Sequence, residues 1–318
     1  MNRLFLTLLL LALALPSYAD RVYVEGETTR DGDDGGHYRL FSGYRYRSGD
    51  AYEWELEMGA GVRNYWENIE QGSVLSGTQT TTEKERFDAA RLTLRGTTPR
   101  VWRYDLRLEQ LLGDEWEVLL GAATVSARPN EDWYIELFAE RELVDTVQAI
   151  RAHNRIDTYG ISADYTLNPS LVLVATLLQQ EFSDGNRSQG GSGRLVYYPH
   201  GISWLHLQLK GRLLDAEQTS ATYFSPERLQ EYFLLFGITT PFANDDWIFG
   251  LLAGPGTQII EPFDSAREEK DAYLGEINLR GWFSDHVTLE SNLGCSSAVS
   301  SEDTDAYCYG HLHLGYAW

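Results

Sequence analysis

The residues most able to do chemistry are charged and aromatic side chains that recur at every second position. Because successive side chains of an extended strand point to opposite faces, each such set would share one face. Carboxylates and guanidinium groups on one face could hydrogen-bond to sugars. Aromatic rings on that face could stack on sugars, namely Phe41, Tyr65, Tyr134, Phe138 and Trp204. The same acids and arginines could instead pair with each other and only brace a wall, and both alternatives stay open. The candidate positions are Glu53, Glu55, Glu57, Arg103, Asp105, Arg107, Glu109, Tyr134, Glu136, Phe138, Glu140 and Trp204.

The sequence contains no arrangement typical of an enzyme or a metal protein. Ser192 lies between glycines but lacks the G-x-S-x-G pattern of a nucleophile elbow. The acidic segments 31–34 and 302–305 could bind calcium, yet neither has the full spacing of a calcium-binding loop. We therefore expect no catalytic residue, no metal and no cofactor. His311 and His313 are expected to be polar residues of a lumen rather than ligands.

These side chains lie on segments of about ten alternating residues, which recur from Asp20 to the end of the chain. The segments predict an all-β fold, a transmembrane antiparallel β-barrel of about sixteen strands, with fourteen or eighteen as alternatives. Short connections alternate with longer ones, as in bacterial barrels whose two termini lie in the periplasm. No run of eighteen apolar residues follows Ala19, which excludes a helical membrane protein. A barrel of this size leaves room for an aqueous channel.

Both ends of the chain indicate export to the outer membrane of a Gram-negative bacterium. Residues 1–19 form a basic start, an apolar run and small residues at Ser17 and Ala19, which predicts a cleaved signal peptide. Residues 20–318 would then form the barrel. At the other end, Leu314, Tyr316 and Trp318 alternate on one strand face and resemble the C-terminal recognition signal of outer-membrane barrels. We expect the barrel-assembly machinery to bind this strand.

The two cysteines, Cys295 and Cys308, fall on the last two predicted strands and flank the loop between them. An antiparallel register that pairs them also pairs Leu293 with Gly310. Because an exported protein meets an oxidising compartment, we expect a disulfide that staples this hairpin.

Several segments of the second half are similar to a known family. They are Ala139–Arg141, Val144–Thr146, Tyr159–Tyr165, Phe182–Arg187 and Tyr223–Arg228. Together they resemble the porin domain of bacterial exopolysaccharide exporters, the outer-membrane components of poly-N-acetylglucosamine and cellulose secretion systems. The resemblance covers about residues 133–262.

The resemblance implies a barrel of sixteen strands that passes a growing glycan outward. It also implies that two motifs lie in outer loops and shape the mouth. These motifs are Phe182, Ser183, Asp184, Gly185 and Asn186, and Tyr223, Phe224, Ser225 and Pro226. The family carries a periplasmic array of tetratricopeptide repeats, whereas here the signal segment leads directly into strands. Either the repeats are on a separate chain, in which case a periplasmic repeat protein and an inner-membrane glycan synthase are the expected partners, or this barrel has a simpler task.

These features predict an outer-membrane channel that passively exports a neutral or cationic exopolysaccharide through an acidic, water-filled lumen. One alternative is a general diffusion porin, in which Trp66–Glu85 would be the candidate for a loop folded inside. Another is a structural barrel that serves a polysaccharide secretion system. The formal charge of −21 disfavours nucleic acid. Outer-membrane lipids and lipopolysaccharide are the expected surroundings.

Overall fold

The computed structural model describes residues 21–31, 35–48, 54–73, 77–98, 102–297 and 306–318. The predicted signal peptide, Glu53 and the second acidic segment, 302–305, lie outside the described residues. Of the first acidic segment, only Asp31 lies within them.

Sixteen antiparallel strands close into a barrel in which each strand pairs with its neighbours in sequence and β1 pairs with β16. This confirms the predicted fold and the count of sixteen. One short helix, α1 (Val147–Arg151), lies between β7 and β8. The strands are β1 (Arg21–Arg30), β2 (Gly36–Arg47), β3 (Trp54–Ser73), β4 (Gly77–Thr97), β5 (Trp102–Gly113), β6 (Glu117–Ala127), β7 (Trp133–Leu143), β8 (Arg155–Asn168), β9 (Leu171–Phe182), β10 (Arg187–Tyr197), β11 (Leu205–Ala216), β12 (Arg228–Phe242), β13 (Trp247–Glu261), β14 (Glu268–Ser284), β15 (Val287–Ser296) and β16 (Tyr307–Ala317).

The outer face of the barrel is apolar and exposed. Leu108 on β5, Leu137 on β7 and Leu177 on β9 point outward and expose 53%, 52% and 66% of their surface. Their sequence neighbours point inward and are mostly polar, which is the alternation that lipid outside and water inside require. Closure gives every strand two paired neighbours, so the sheet has no edge strand. Within the described ranges, no helix is long and apolar enough to cross a membrane.

Aromatic residues ring the outside of the barrel at the end that carries both termini, which we call the terminal end. There Trp133 stacks on Tyr165 with ring centroids 4.5 Å apart. Toward the opposite end, the loop end, Arg141, Asp157, Glu181 and Arg187 form one row across β7–β10. From Trp133 to Arg141 the strand rises roughly 27 Å, which a tilt of about 40° reduces to roughly 20 Å. This height approaches the apolar band of about 25 Å expected of a membrane barrel.

The hairpin of β3 and β4 is longer than the sequence suggested. Pairing continues from Trp66 opposite Lys84 up to Ser73 opposite Gly77, so residues 66–85 are mostly strand. The described parts of this range, 66–73 and 77–85, do not form the inward loop that the porin alternative assigned to them. The run Thr80–Thr82 favours a strand because β-branched side chains suit the extended backbone.

At the other seam, Cys295 and Cys308 are register partners joined by a disulfide, and Leu293 pairs with Gly310. Both expectations for this hairpin are confirmed. The cysteines lie on the outward face, near the loop end of β15 and β16.

Candidate functional site: the lumen and its mouth

The connection between β7 and β8, residues 144–154, folds into the barrel, and we call it the inward segment. Thr146 caps α1, because its Oγ1 accepts a hydrogen bond from Ala149 N at 3.1 Å. Val147 and Ile150 are almost completely buried and pack in one apolar cluster with inward-facing side chains of the wall. The strand members of this cluster are Phe41, Tyr65, Phe87, Ala89, Leu111, Val118, Leu120 and Leu143.

The cluster changes what the aromatic rings on this wall can do. Phe41 and Tyr65 were expected to be able to stack on sugar faces, but each exposes only 1% of its surface beneath the inward segment. A passing glycan cannot reach them, so this expectation is wrong for both rings. Burying an apolar side chain of this size stabilises the fold by roughly 1.5–3 kcal/mol. The rings therefore hold the inward segment in place.

Polar contacts fasten α1 to the extended hairpin. Arg151 Nε donates to Glu85 Oε1 at 2.6 Å, and Arg151 also pairs with Glu83. The backbone N–H of Gln148 donates to Glu67 Oε2 at 3.2 Å. The extra length of β3 and β4 thus provides carboxylates that hold the helix.

A buried ion-pair network lies against the inward segment. Glu109, which is 1% exposed, accepts from Arg63 Nε at 2.6 Å and from Arg91 Nε at 3.2 Å. Arg63 also pairs with Glu142 at 2.6 Å, and Arg91 with Glu25 at 2.9 Å. Because each charge meets an opposite one, burial does not leave any of these five groups uncompensated.

A second ion-pair group lies nearer the terminal end. Arg95 donates to Glu57 Oε1 at 2.7 Å and to Asp105 Oδ2 at 2.6 Å. Arg45 pairs with Glu57 and, at 3.1 Å, with Glu55. Glu57 is only 4% exposed and Glu109 only 1%, so their carboxylates have almost no contact with the lumen. These two residues pair with arginines and brace the wall.

The other candidate residues are more open. Arg107 Nη2 donates to Glu140 Oε1 at 2.7 Å, and Tyr134 Oη donates to Glu136 Oε2 at 2.6 Å. Phe138 lies across Gly160, where a Cβ would come within 2.2 Å of the ring.

Two further candidates lie near the terminal end of the lumen. Arg103 lines a cavity there together with Tyr134. Trp204 lies in the turn just before β11 and is half exposed. Contact between any of these open residues and a glycan stays a prediction.

The two motifs of the mouth are brought together by one buried amide. Asn186 is 3% exposed, and its Nδ2 donates to Gln218 O, Tyr223 Oη and Ser225 Oγ at 2.9, 3.2 and 2.9 Å. Its Oδ1 accepts from the backbone N–H groups of Arg187 and Gln218. Residues 183–186 and 217–227, both at the loop end, are thereby joined.

An aromatic contact strengthens the same junction. Phe182 and Tyr223 stack with centroids 4.5 Å apart and planes 9° apart. Tyr223 Oη also donates to Asp184 Oδ2 at 3.0 Å. Burial, together with the hydrogen bond and negative charge of Asp184, raises the pKa of Tyr223 to about 12. The phenol therefore stays protonated and remains a donor at neutral pH.

Thr222 connects this junction to the inward segment. Thr146 Oγ1 donates to the carbonyl of Thr222, and Asn154 Nδ2 donates to Thr222 Oγ1 at 3.2 Å. The loop between β11 and β12 therefore holds both ends of the inward segment. Sequence reasoning placed the motifs in outer loops but missed this segment. The available signal was Val144, Val147 and Ile150, which are apolar residues around a capping Thr146 in a connection expected to be solvated.

The wall opposite the inward segment is not covered by it. Ser162, Thr176 and Ser192 on β8, β9 and β10 face the lumen and are partly exposed. A path for water along this wall is consistent with these small polar side chains. Across the described residues, no group of three or more His, Cys, Asp or Glu is placed to hold a metal ion.

Comparison with known proteins identifies the fold and no family. No protein-family profile and no curated protein sequence matches the chain. Among solved structures, the chain is similar to a "Bacterial polysaccharide outer membrane secretin", with a TM-score of 0.68, 12% identity, and coverage of 94% of this chain and 98% of that one. At this identity, the likeness shows a shared barrel fold alone.

Two other solved structures match less well. Pseudomonas aeruginosa OccD3 (OpdP) has a TM-score of 0.49 and 7% identity, with 94% of this chain and 91% of that chain covered. Pseudomonas putida OprB has a TM-score of 0.42 and 10% identity, with 96% and 95% covered.

Proposed function

We propose that the protein is an outer-membrane channel that exports a neutral or cationic exopolysaccharide. The observation that carries the proposal is the barrel itself, apolar outside and polar inside, with one wall of its lumen left uncovered. The polysaccharide is suggested by the sixteen-strand match to the polysaccharide secretin over nearly all of both chains. The motif segments at the mouth, joined through Asn186, agree with an exit shaped for a particular polymer. A formal charge of −21 opposes a polyanionic cargo.

The same proposal includes the route to the membrane. Leu314, Tyr316 and Trp318 at the end of β16 are exposed on the outside of the barrel, where the assembly machinery could bind them. Residues 1–19 would be removed as a signal peptide. A repeat protein in the periplasm and a glycan synthase in the inner membrane would supply the polymer.

A general diffusion porin is the second candidate, and the inward segment favours it, because usual porins narrow their lumen with a loop folded inside. The two functions differ in how size limits passage. In a porin, passage of sugars should decrease progressively with increasing mass. In an exporter, passage of a linear oligosaccharide should be limited by its width and be independent of its length.

Liposomes that contain the purified protein test both candidates. The export proposal predicts swelling in linear neutral oligosaccharides of increasing length and little swelling in a branched sugar of equal mass. Swelling that falls with mass irrespective of shape would favour the porin. Planar bilayers provide the second measurement, for which we predict ohmic current steps with cation preference. A barrel that does not conduct, or that prefers anions, would overturn the export proposal.

A further inference from the structure

A groove crosses the uncovered side of the lumen. It has a volume of about 460 Å³ and extends across the inner face from β11 to β16. This volume lies within the range of small-molecule binding sites, about 300–1,000 Å³. The inward segment packs against β2–β6, so this groove lies on a part of the lumen wall that the segment leaves uncovered. The inward side chains that matter here are His206, Gln208, Asn278, Glu290, Asn292 and His311.

Two amides of the groove have unused hydrogen-bonding capacity. Gln208 is only 7% exposed, and its Oε1 has no hydrogen-bond partner in the described structure. The Oδ1 atom of Asn292 is enclosed and unpartnered in the same way. A buried acceptor without a partner costs about 1–3 kcal/mol. In contrast, the structural amide of Gln258 donates to Glu231 at 3.1 Å, so unpartnered amides are not general in this lumen.

A glycine fixes the imidazole ring of His206 at one end of the groove. A Cβ on Gly237 would lie 1.9 Å from His206 Nε2 and 2.2 Å from Cε1. The ring therefore lies directly across the backbone of β12, in space that only a glycine leaves free. A flat ring beside amide groups is a surface on which the C–H face of a pyranose can pack while its hydroxyl groups reach the amides.

The groove carries one guanidinium group, Arg280, and two carboxylates, Glu276 and Glu290, so its net formal charge is small. Arg280 on β14 and Glu290 on β15 are register partners, and both are exposed to the lumen. A guanidinium and a carboxylate in close register offer donors and acceptors without a strong net field. A hydroxyl group can donate a hydrogen bond to Glu290 and accept one from Arg280. A polyanion would be repelled by Glu290, and a polycation by Arg280.

We propose that this groove is a saccharide-binding subsite, in which Gln208, Asn292 and His206 hold a neutral, polyhydroxylated segment of the polymer. The inference rests on the proposed export function and names the cargo class and the wall that recognises it. Binding would give the unpartnered amides hydrogen-bond partners. Each amide can rotate to present either its oxygen or its NH₂ group to a sugar hydroxyl.

Cellohexaose, a linear neutral oligosaccharide, is the probe for the test. Its affinity is measured by calorimetry on the detergent-solubilised protein, and its block of ion current is measured in planar bilayers. The double variant Gln208→Leu with Asn292→Leu should bind at least about tenfold more weakly, the equivalent of 1.4 kcal/mol. The matched control is Gln180→Leu, which makes the same change on the inner face of β9, outside the groove, and should bind like the parent protein.

A second variant guards against misfolding of the first. Gly237→Ala displaces the His206 ring without removing a polar group, so it should also weaken binding and leave conductance intact. Equal affinity in all variants, an equal loss in the Gln180→Leu control, or no cellohexaose binding by the parent protein would overturn the subsite. Ion conductance separates the two proposals. If the parent protein conducts ions but its affinity for cellohexaose does not depend on these residues, only the groove proposal is refuted. A parent protein that does not conduct refutes the channel.

Discussion

Arg63 on β3 and Glu142 at the end of β7 are 79 residues apart in sequence, and Arg63 Nη1 lies 2.6 Å from Glu142 Oε1. Glu142 stands two residues before the inward segment, and Arg63 also holds the buried carboxylate of Glu109. One guanidinium thus joins the wall of the barrel to the base of the inward segment.

Replacement of this guanidinium should therefore destabilise the barrel strongly. Arg63→Leu leaves Glu109 with one partner in a site that solvent hardly reaches, and breaking such a buried pair lowers the free energy of unfolding by about 3–5 kcal/mol. Urea unfolding in detergent, followed by tryptophan fluorescence, measures the change. The control is Arg141→Leu, which breaks the partly exposed pair with Asp157 on the outer rim and should change stability by about 1 kcal/mol or less. Similar losses in both variants would contradict this account.

The inward segment should restrict the current. Ile150→Asp places a carboxylate in the apolar cluster, where burial is too unfavourable for the segment to stay packed. We expect a larger single-channel conductance than that of the parent protein. Ala152→Asp changes the exposed residue just after α1 and should leave conductance unaltered. An unchanged conductance in Ile150→Asp would show that the segment does not narrow the path.

Loss of the amide at the mouth should loosen two connections together. Asn186→Ala removes two N–H donors, which are shared among three acceptors, and an oxygen that accepts two hydrogen bonds. At about 1 kcal/mol for each bond, the local loss is several kcal/mol. Hydrogen exchange should accelerate in residues 217–227 and, through Thr222, in residues 144–154. The control Asn130→Ala disturbs only a turn at the terminal end, where Oδ1 accepts from Asp132 and Trp133. Acceleration confined to residues 183–187 would disprove the connection through Thr222.

The contact of Tyr223 should persist into alkaline solution. The folded pKa is about 12 and the usual value is 10.0, so folding favours the protonated phenol. Its stabilising contribution is complete below pH 10 and disappears as the pH rises through about 12. The difference in phenolate absorbance between the parent protein and Tyr223→Phe should therefore show a transition near pH 12. A transition near pH 10 would mean that Tyr223 is neither buried nor held by Asp184.

Sequence reasoning identified the barrel because the alternation of apolar and polar side chains has one physical cause. Each strand has one face toward lipid and the other toward water. The side of the barrel on which a residue lies can be assigned from the local sequence alone, as for Leu137 and Phe138 or for Leu177 and Thr176. The register of Cys295 and Cys308 was predictable for a similar reason, since two strands joined by one hairpin have few ways to align two cysteines.

The lumen was harder to predict because its contents depend on contacts between distant residues. Nothing in the local sequence of Phe41 or Tyr65 shows that α1, about a hundred residues later, covers them. Similarly, Glu57 and Glu109 have the same alternation as Glu136 and Glu140, and only the positions of Arg63, Arg91 and Arg95 decide which carboxylates are buried. The groove at Gln208 and Asn292 joins strands that are far apart in sequence and leaves no local motif.

The central claim is that lipid touches one set of alternating side chains and water the other. Spin labels on the single variants Leu177→Cys and Thr176→Cys, at adjacent residues of β9, test this claim directly in lipid vesicles. The label attaches only to the introduced cysteine, because Cys295 and Cys308 are joined in a disulfide. We predict that the label at position 177 is accessible to oxygen and shielded from a water-soluble nickel complex, and that the label at position 176 shows the reverse. Equal accessibility at the two positions, or the opposite order, would contradict the claim.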